Sequence, residues 1–190
     1  MKAEVLLEDL KKRTLEVIKG VEKYLILDDK TLNFKPSGES WSILECIEHL
    51  NRYGDFYLPE IRQRIAESKS KPEEFKPGLL GDYFAKSMLP KEKLNKMKTF
   101  KVMNPAGSKL DRKVLEKFIG QQKTTLELLE KAALVSLTKT KTSISISSWI
   151  KLRLGDTLRV VIYHNQRHLV QAEKVMKLFG QQNASMSTVG

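Results

Sequence analysis

Cys46 is the only cysteine in the chain. No intrachain disulfide is therefore available, and a reducing cytoplasm is the expected compartment. Long apolar runs are missing as well: no stretch approaches the ~20 apolar residues that a membrane-spanning helix needs. A secretory signal would need an uninterrupted apolar region near the N-terminus, and Glu4, Glu8, Asp9, Lys11 and Lys12 break it. Aromatics make up only 7% of the residues. No internal repeat or low-complexity tract is present. Histidine is scarce, with three in all, His49, His164 and His168, and their placement becomes informative below.

What is present is ordinary for a folded soluble chain: 190 residues, 41% hydrophobic and 30% charged. This length buries enough surface to fold without staples. The expected organisation is one domain over residues 1–180 and a polar tail over 181–190. Net charge is +11, and part of it is local. Between Lys86 and Lys113 stand nine basic residues against Glu92 and Asp111. Such a stretch attracts nucleic acid, an anionic membrane surface or an acidic small molecule, or it is a solvated lysine-rich connector. It lacks regularly interleaved aromatics and matches no nucleic-acid-binding motif. Neither nucleic acid nor membrane is therefore an expected partner.

Four segments carry helical periodicity. In the first, from about Glu4 to Leu25, Leu6, Leu10, Val17, Val21 and Tyr24 fall at spacings of three, four and seven, which makes one apolar stripe. A loop from Asp28 to Gly38 follows. The second helix opens on Ser42-Ile43-Leu44-Glu45, a capping box in which each of Ser42 and Glu45 satisfies the other's backbone N–H. Trp41 precedes the cap and is placed to staple against Cys46. This helix is expected to pass Pro59 and end near Ser68. Residues 69–108 are punctuated by Pro72, Pro77, Gly78, Gly81, Pro90, Pro105 and Gly107, a connection long enough to hold short helices of its own and often functional. A third helix spans about Asp111 to Leu134. In the polar stretch from Thr138 to Ser148, Ile144 and Ile146 alternate with serines, which suits a short strand. The fourth helix is expected to start at Asp156 as N-cap, run to Phe179 and stop at Gly180. Four long amphipathic helices without a convincing sheet predict an all-α four-helix bundle, with a long crossover connection between helices 2 and 3.

His164 and His168 are four apart on the fourth helix, hence on one face with Cβ atoms roughly 5–6 Å apart. Two imidazoles at that spacing can share one ion. His49, on the second helix, would add a third nitrogen if helices 2 and 4 face each other. Three protein ligands leave a position open, as catalytic sites do, whereas structural sites are closed by four. The spacing alone also fits ordinary surface histidines, or a helix pair bonded to carbonyls.

The stretch from Trp41 to Leu50, with its Trp-Ser opening and His49-Leu50, resembles the first signature of the DinB-like (DinB/YfiT) superfamily. The second signature is resembled by Leu154-Gly155-Asp156-Thr157-Leu158 followed by His164-Asn165-Gln166-Arg167-His168-Leu169-Val170-Gln171. It has H-x-x-x-H on the last helix, Arg before the second His and Gln three after it. The resemblance covers about Leu6 to Phe179. It implies a four-helix bundle with one divalent metal ion on His49, His164 and His168, zinc or nickel by imidazole preference. It also implies, as a class of activity, thiol-dependent transfer or isomerisation with low-molecular-weight thiols such as glutathione, mycothiol or bacillithiol.

Around those positions two readings stand for each residue. Gln171 is a partner of an imidazole or of substrate, or a buried amide. Glu45 orients His49, or only caps. Arg167 is expected off the ligand face, in a salt bridge to another helix or binding an anion. Cys46 is a buried apolar thiol or a soft fourth ligand, and Tyr53 is an acid near the open position or core packing. The leading functional expectation is a metal-dependent enzyme, either a thiol transferase or a metal-activated hydrolase. The rival is a metal-binding or sensory module that docks a partner through the basic connector. Expected partners are a small-molecule substrate, in particular a low-molecular-weight thiol, and a second copy of the chain as a homodimer.

Overall fold

The computed structural model describes residues 1–90 and 99–187. Residues 91–98 of the basic stretch and the end of the tail, 188–190, lie outside the described residues.

Helix α1 spans Ala3–Glu22 and buries Leu6, Leu10, Val17 and Val21, the stripe that the spacing predicts. A single 3₁₀ turn, Lys23–Ile26, ends it and buries Tyr24. The expected loop after it is partly helical: α2 covers Asp29–Asn33, because the Asp28 side chain accepts from the Thr31 N–H and caps it. Helix α3, Ile43–Glu67, starts at the predicted capping box and continues through Pro59. The connector holds one further helix, α4 at Leu79–Met88, and a 3₁₀ turn at Lys101–Met103. Helix α5 is Lys113–Ala132.

The polar stretch beyond α5 forms a hairpin rather than a lone strand. Strand β1, Lys141–Ile144, pairs antiparallel with β2, Ser147–Arg153, with Thr142 opposite Leu152 and an irregularity between Ser143 and Ile144. The last helix, α6, departs from expectation at both ends and spans Leu154–Ser187. Asp156 is not its N-cap. The first N–H groups of α6 go instead to loop carbonyls, Leu154 to Thr140 at 2.9 Å and Gly155 to Leu137 at 3.1 Å. Asp156, fully buried, accepts from the Gly78 N–H at 2.7 Å and from Arg159 at 3.1 Å, and so ties α4 to α6. Gly180 does not stop the helix, and residues 181–187 continue it. A glycine ends a helix only when the following chain takes up a cap, and nothing here draws it away.

The four long helices α1, α3, α5 and α6 form the bundle. α3 packs on α5 and α6, and α1 packs on the same two, so α1 and α3 stand at opposite corners among the described residues. Along the chain the diagonal steps are therefore α1 to α3 and α5 to α6, and the long connector joins the neighbours α3 and α5. Two apolar clusters fill the interior. One gathers Leu6, Leu10, Tyr57, Ile61, Leu154 and Leu158, and the other Val17, Val21, Ile43, Leu50, Leu115 and Leu169. Early α3 thus shares a cluster with late α6, and late α3 with early α6, so these two helices run antiparallel. On α6, His164 and His168 fall between the two clusters, and on α3, His49 sits between Ile47 and Leu50 of the second. No described helix is long and apolar enough to cross a membrane.

Candidate metal centre

α3 presents His49, and α6 presents His164 and His168 one turn apart. The antiparallel packing of the two helices carries the three imidazoles to one point at the seam of the core. They are 3%, 9% and 9% exposed. One ring nitrogen from each lies within 4.8 Å of the others, and the Nε2 atoms of His49 and His164 are 3.3 Å apart. Two imidazoles on a tetrahedral centre with bonds of about 2.0–2.1 Å stand about 3.4 Å apart, so this pair already has the separation of two ligands.

Tautomers support the same reading. His49 Nδ1 is 2.7 Å from the Met103 carbonyl oxygen, which only accepts, so Nδ1 carries the proton and Nε2 keeps its lone pair. His168 Nδ1 is 2.9 Å from Gln171 Oε1, with the same consequence. Two bare nitrogens thus turn inward with no protein proton of their own between them. Burial pushes His49 down to about 4, against the raising effect of the Met103 bond, and pushes His168 down to about 3, with His49 adding to it. His164 is also lowered, by burial first and then by its two histidine neighbours. All three are neutral at pH 7, the form that binds metal.

The walls are aromatic. The Trp41 ring lies 4.8 Å from His49 and 5.8 Å from His168, near-parallel to the latter. Trp41 packs against the cluster that holds Cys46, and its ring also covers the imidazoles. Tyr53 sets its ring edge-on to His49 and His164, at 4.9 and 4.8 Å. Burial raises its phenol, so the hydroxyl stays protonated. Beside these rings opens a cavity of about 710 Å³, lined by all three histidines and by Trp41, Tyr53 and Arg167 among others.

Of the neighbouring residues Arg167 departs from expectation, whereas Glu45 and Cys46 take the capping and the buried-thiol reading. Arg167 does not point off the ligand face: it is 5% exposed and lines the cavity. It stands three after His164, and i,i+3 neighbours share a helix face. Glu45 does not orient His49. Its carboxylate is spent on the Ser42 N–H at 2.9 Å, Lys35 at 2.6 Å and the Gly107 N–H at 3.3 Å. The orienting group is the Met103 carbonyl, which sequence reasoning missed because a backbone oxygen 54 positions away leaves no residue-type signal. Cys46 is fully buried in the core, its thiol pushed up by burial, and is not part of the histidine cluster.

The DinB superfamily model matches residues 6–172, a span that includes both histidine-bearing helices. The chain belongs to the DinB superfamily. No curated protein sequence matches it. A solved structure, YfiT from Bacillus subtilis, is described as a probable metal-dependent hydrolase with an unusual four-helix bundle topology. It aligns with a TM-score of 0.48 at 13% identity, covering 94% of this chain and 87% of that one. In this DinB-superfamily chain the donor set fits a divalent ion: three neutral imidazoles, two with fixed tautomers, converging at the wall of a cavity.

Proposed function

We propose that this chain is a divalent-metal-dependent enzyme that transfers a low-molecular-weight thiol to an electrophile, with zinc or nickel held by His49, His164 and His168. The observation that carries the reading is the convergence of three neutral imidazoles on the wall of a cavity of about 710 Å³. Three ligands leave room for a small molecule at the centre. When bound, the ion supplies Lewis acidity and lowers the pKa of a thiol or water that reaches it. The chain's own residues do the rest. Met103 and Gln171 hold two imidazoles in the ligating tautomer. Trp41 and Tyr53 shield the centre from bulk water. Among the described residues, Arg167 and Lys174 add positive charge to the cavity wall, against a single carboxylate, the exposed Glu39. That balance favours an anionic, soft nucleophile over a water that would need a neighbouring base.

Metal-activated hydrolysis is the second reading, since the same open site would serve it. Two measurements discriminate. Elemental analysis should find about one ion per chain, lost in His49→Ala and in His168→Ala. With cobalt in the site, adding glutathione, cysteine or a related thiol should produce a sulfur-to-metal charge-transfer band. Cys46 lies outside the cluster, so no such band should precede the added thiol. A cobalt-loaded protein that is spectrally silent across these thiols, and turns over no thiol with an electrophile, would remove the transferase reading and leave hydrolysis or a non-catalytic role.

A further inference from the structure

The connector returns to α3 just before α5, and one side chain grips it there. Arg52 donates from Nη1 to the carbonyls of Val102 and Asn104, at 3.3 and 2.7 Å, and from Nη2 to Ser108 Oγ at 3.1 Å. Its Nε is braced by Glu48 at 3.1 Å, one turn back on the same helix. Between the two gripped carbonyls lies Met103, whose own carbonyl points the other way and takes the His49 Nδ1–H. The planar guanidinium suits this task, since it presents several donors in a rigid fork. Phe100 and Asn104 of the same segment also line the cavity beside the histidines.

We infer that Arg52 is a positioning residue for the metal centre: by clamping the backbone on both sides of Met103 it holds the Met103 carbonyl on His49. Metal affinity then depends on how well the connector is docked, and metal binding tightens the connector in return. The inference rests on the proposed metal site and extends it to a residue that touches neither ion nor substrate. Groups that orient a metal-bound imidazole through its other nitrogen alter affinity by about ten- to a hundredfold when lost.

The test is zinc affinity of the full chain by chelator competition, together with the cobalt absorption spectrum and amide exchange at Met103 and Asn104. Arg52→Gln should bind zinc about tenfold to a hundredfold more weakly and shift the cobalt bands. Zinc should slow exchange of these two amides in the parent and lose that effect in Arg52→Gln. Arg64→Gln removes a comparable pair on the same helix, with Glu60 at 2.9 Å, and should leave zinc affinity unchanged. Should Arg52→Gln fail to fold, Glu48→Gln and Ser108→Ala decide: weaker zinc binding in either supports the clamp, and parental affinity in both overturns it. Parental affinity and cobalt spectrum in a folded Arg52→Gln overturn it directly. A parent chain that binds neither zinc, nickel nor cobalt overturns the metal reading itself.

Discussion

At the scale of single residues, burial decides the chemistry of the three histidines. A solvated imidazole titrates near 6.5, whereas His49 and His168 are held to about 4 and about 3 by desolvation. In metal-free protein the sign of the consequence is definite. Between pH 6.5 and about 4 the unfolded chain binds protons that the folded chain refuses, so stability is full above that window and falls as pH falls through it. Chemical denaturation of the chelated parent at pH 7 and pH 5 should show this loss. The His49→Gln/His168→Gln double variant should show a shallower one, and equal slopes for the two proteins would refute the assignment. The same burial keeps the ligands free of protons when metal competes for them.

At the scale of elements, helix ends are where the chain commits. The capping box of α3 is complete, with Ser42 Oγ accepting from Glu45 N–H at 3.1 Å, and Ser42 is only 2% exposed. Ser42→Ala should lower stability by about 0.5–2 kcal/mol, as N-cap losses do. Unchanged unfolding midpoints would show that the cap contributes nothing. The start of α6 works by close approach instead. A Cβ on Gly155 would run into the ring of Phe75, a side chain with no exposure at all. Gly155→Ala is therefore expected to cost about 1–3 kcal/mol through overpacking, read as a lower urea midpoint with the slope unchanged. A variant as stable as the parent would mean that the ring shifts freely.

At the scale of the whole molecule, the histidines staple two antiparallel helices far apart in sequence. His49 and His164 are separated by 115 positions. An ion that bridges them binds the folded chain and has no such site in the unfolded one. At a free concentration a hundred times its Kd it should add about 2.7 kcal/mol, roughly 5–10 °C in Tm for a chain of this size. Calorimetry with and without zinc measures this directly, and a Tm insensitive to metal would argue against a site that joins α3 to α6.

Much of this was legible in the residues. Periodic apolar spacing marked α1, α3 and α5, because a helix with one buried face repeats every three or four positions whatever its neighbours are. Ser42 and Glu45 announced the start of α3, since a capping box is closed within four residues. The i,i+4 spacing likewise put His164 and His168 on one face. Contacts made at long range were not legible. Asp156 looked like a cap by its local sequence, yet loop carbonyls from Thr140 and Leu137 took up the helix start and left its carboxylate for Gly78. The end at Gly180 was misread for a related reason: a glycine permits a stop without imposing one. Sequence could nominate His49, but only the antiparallel packing of α3 on α6 brings its Nε2 to 3.3 Å from that of His164. The partner that fixes its tautomer, the Met103 carbonyl, arrives on a connector whose path no local rule dictates. Local spacing determined which side chains share a helix face. Which faces meet, and which backbone oxygens reach them, was decided by burying the apolar stripes of four helices at once.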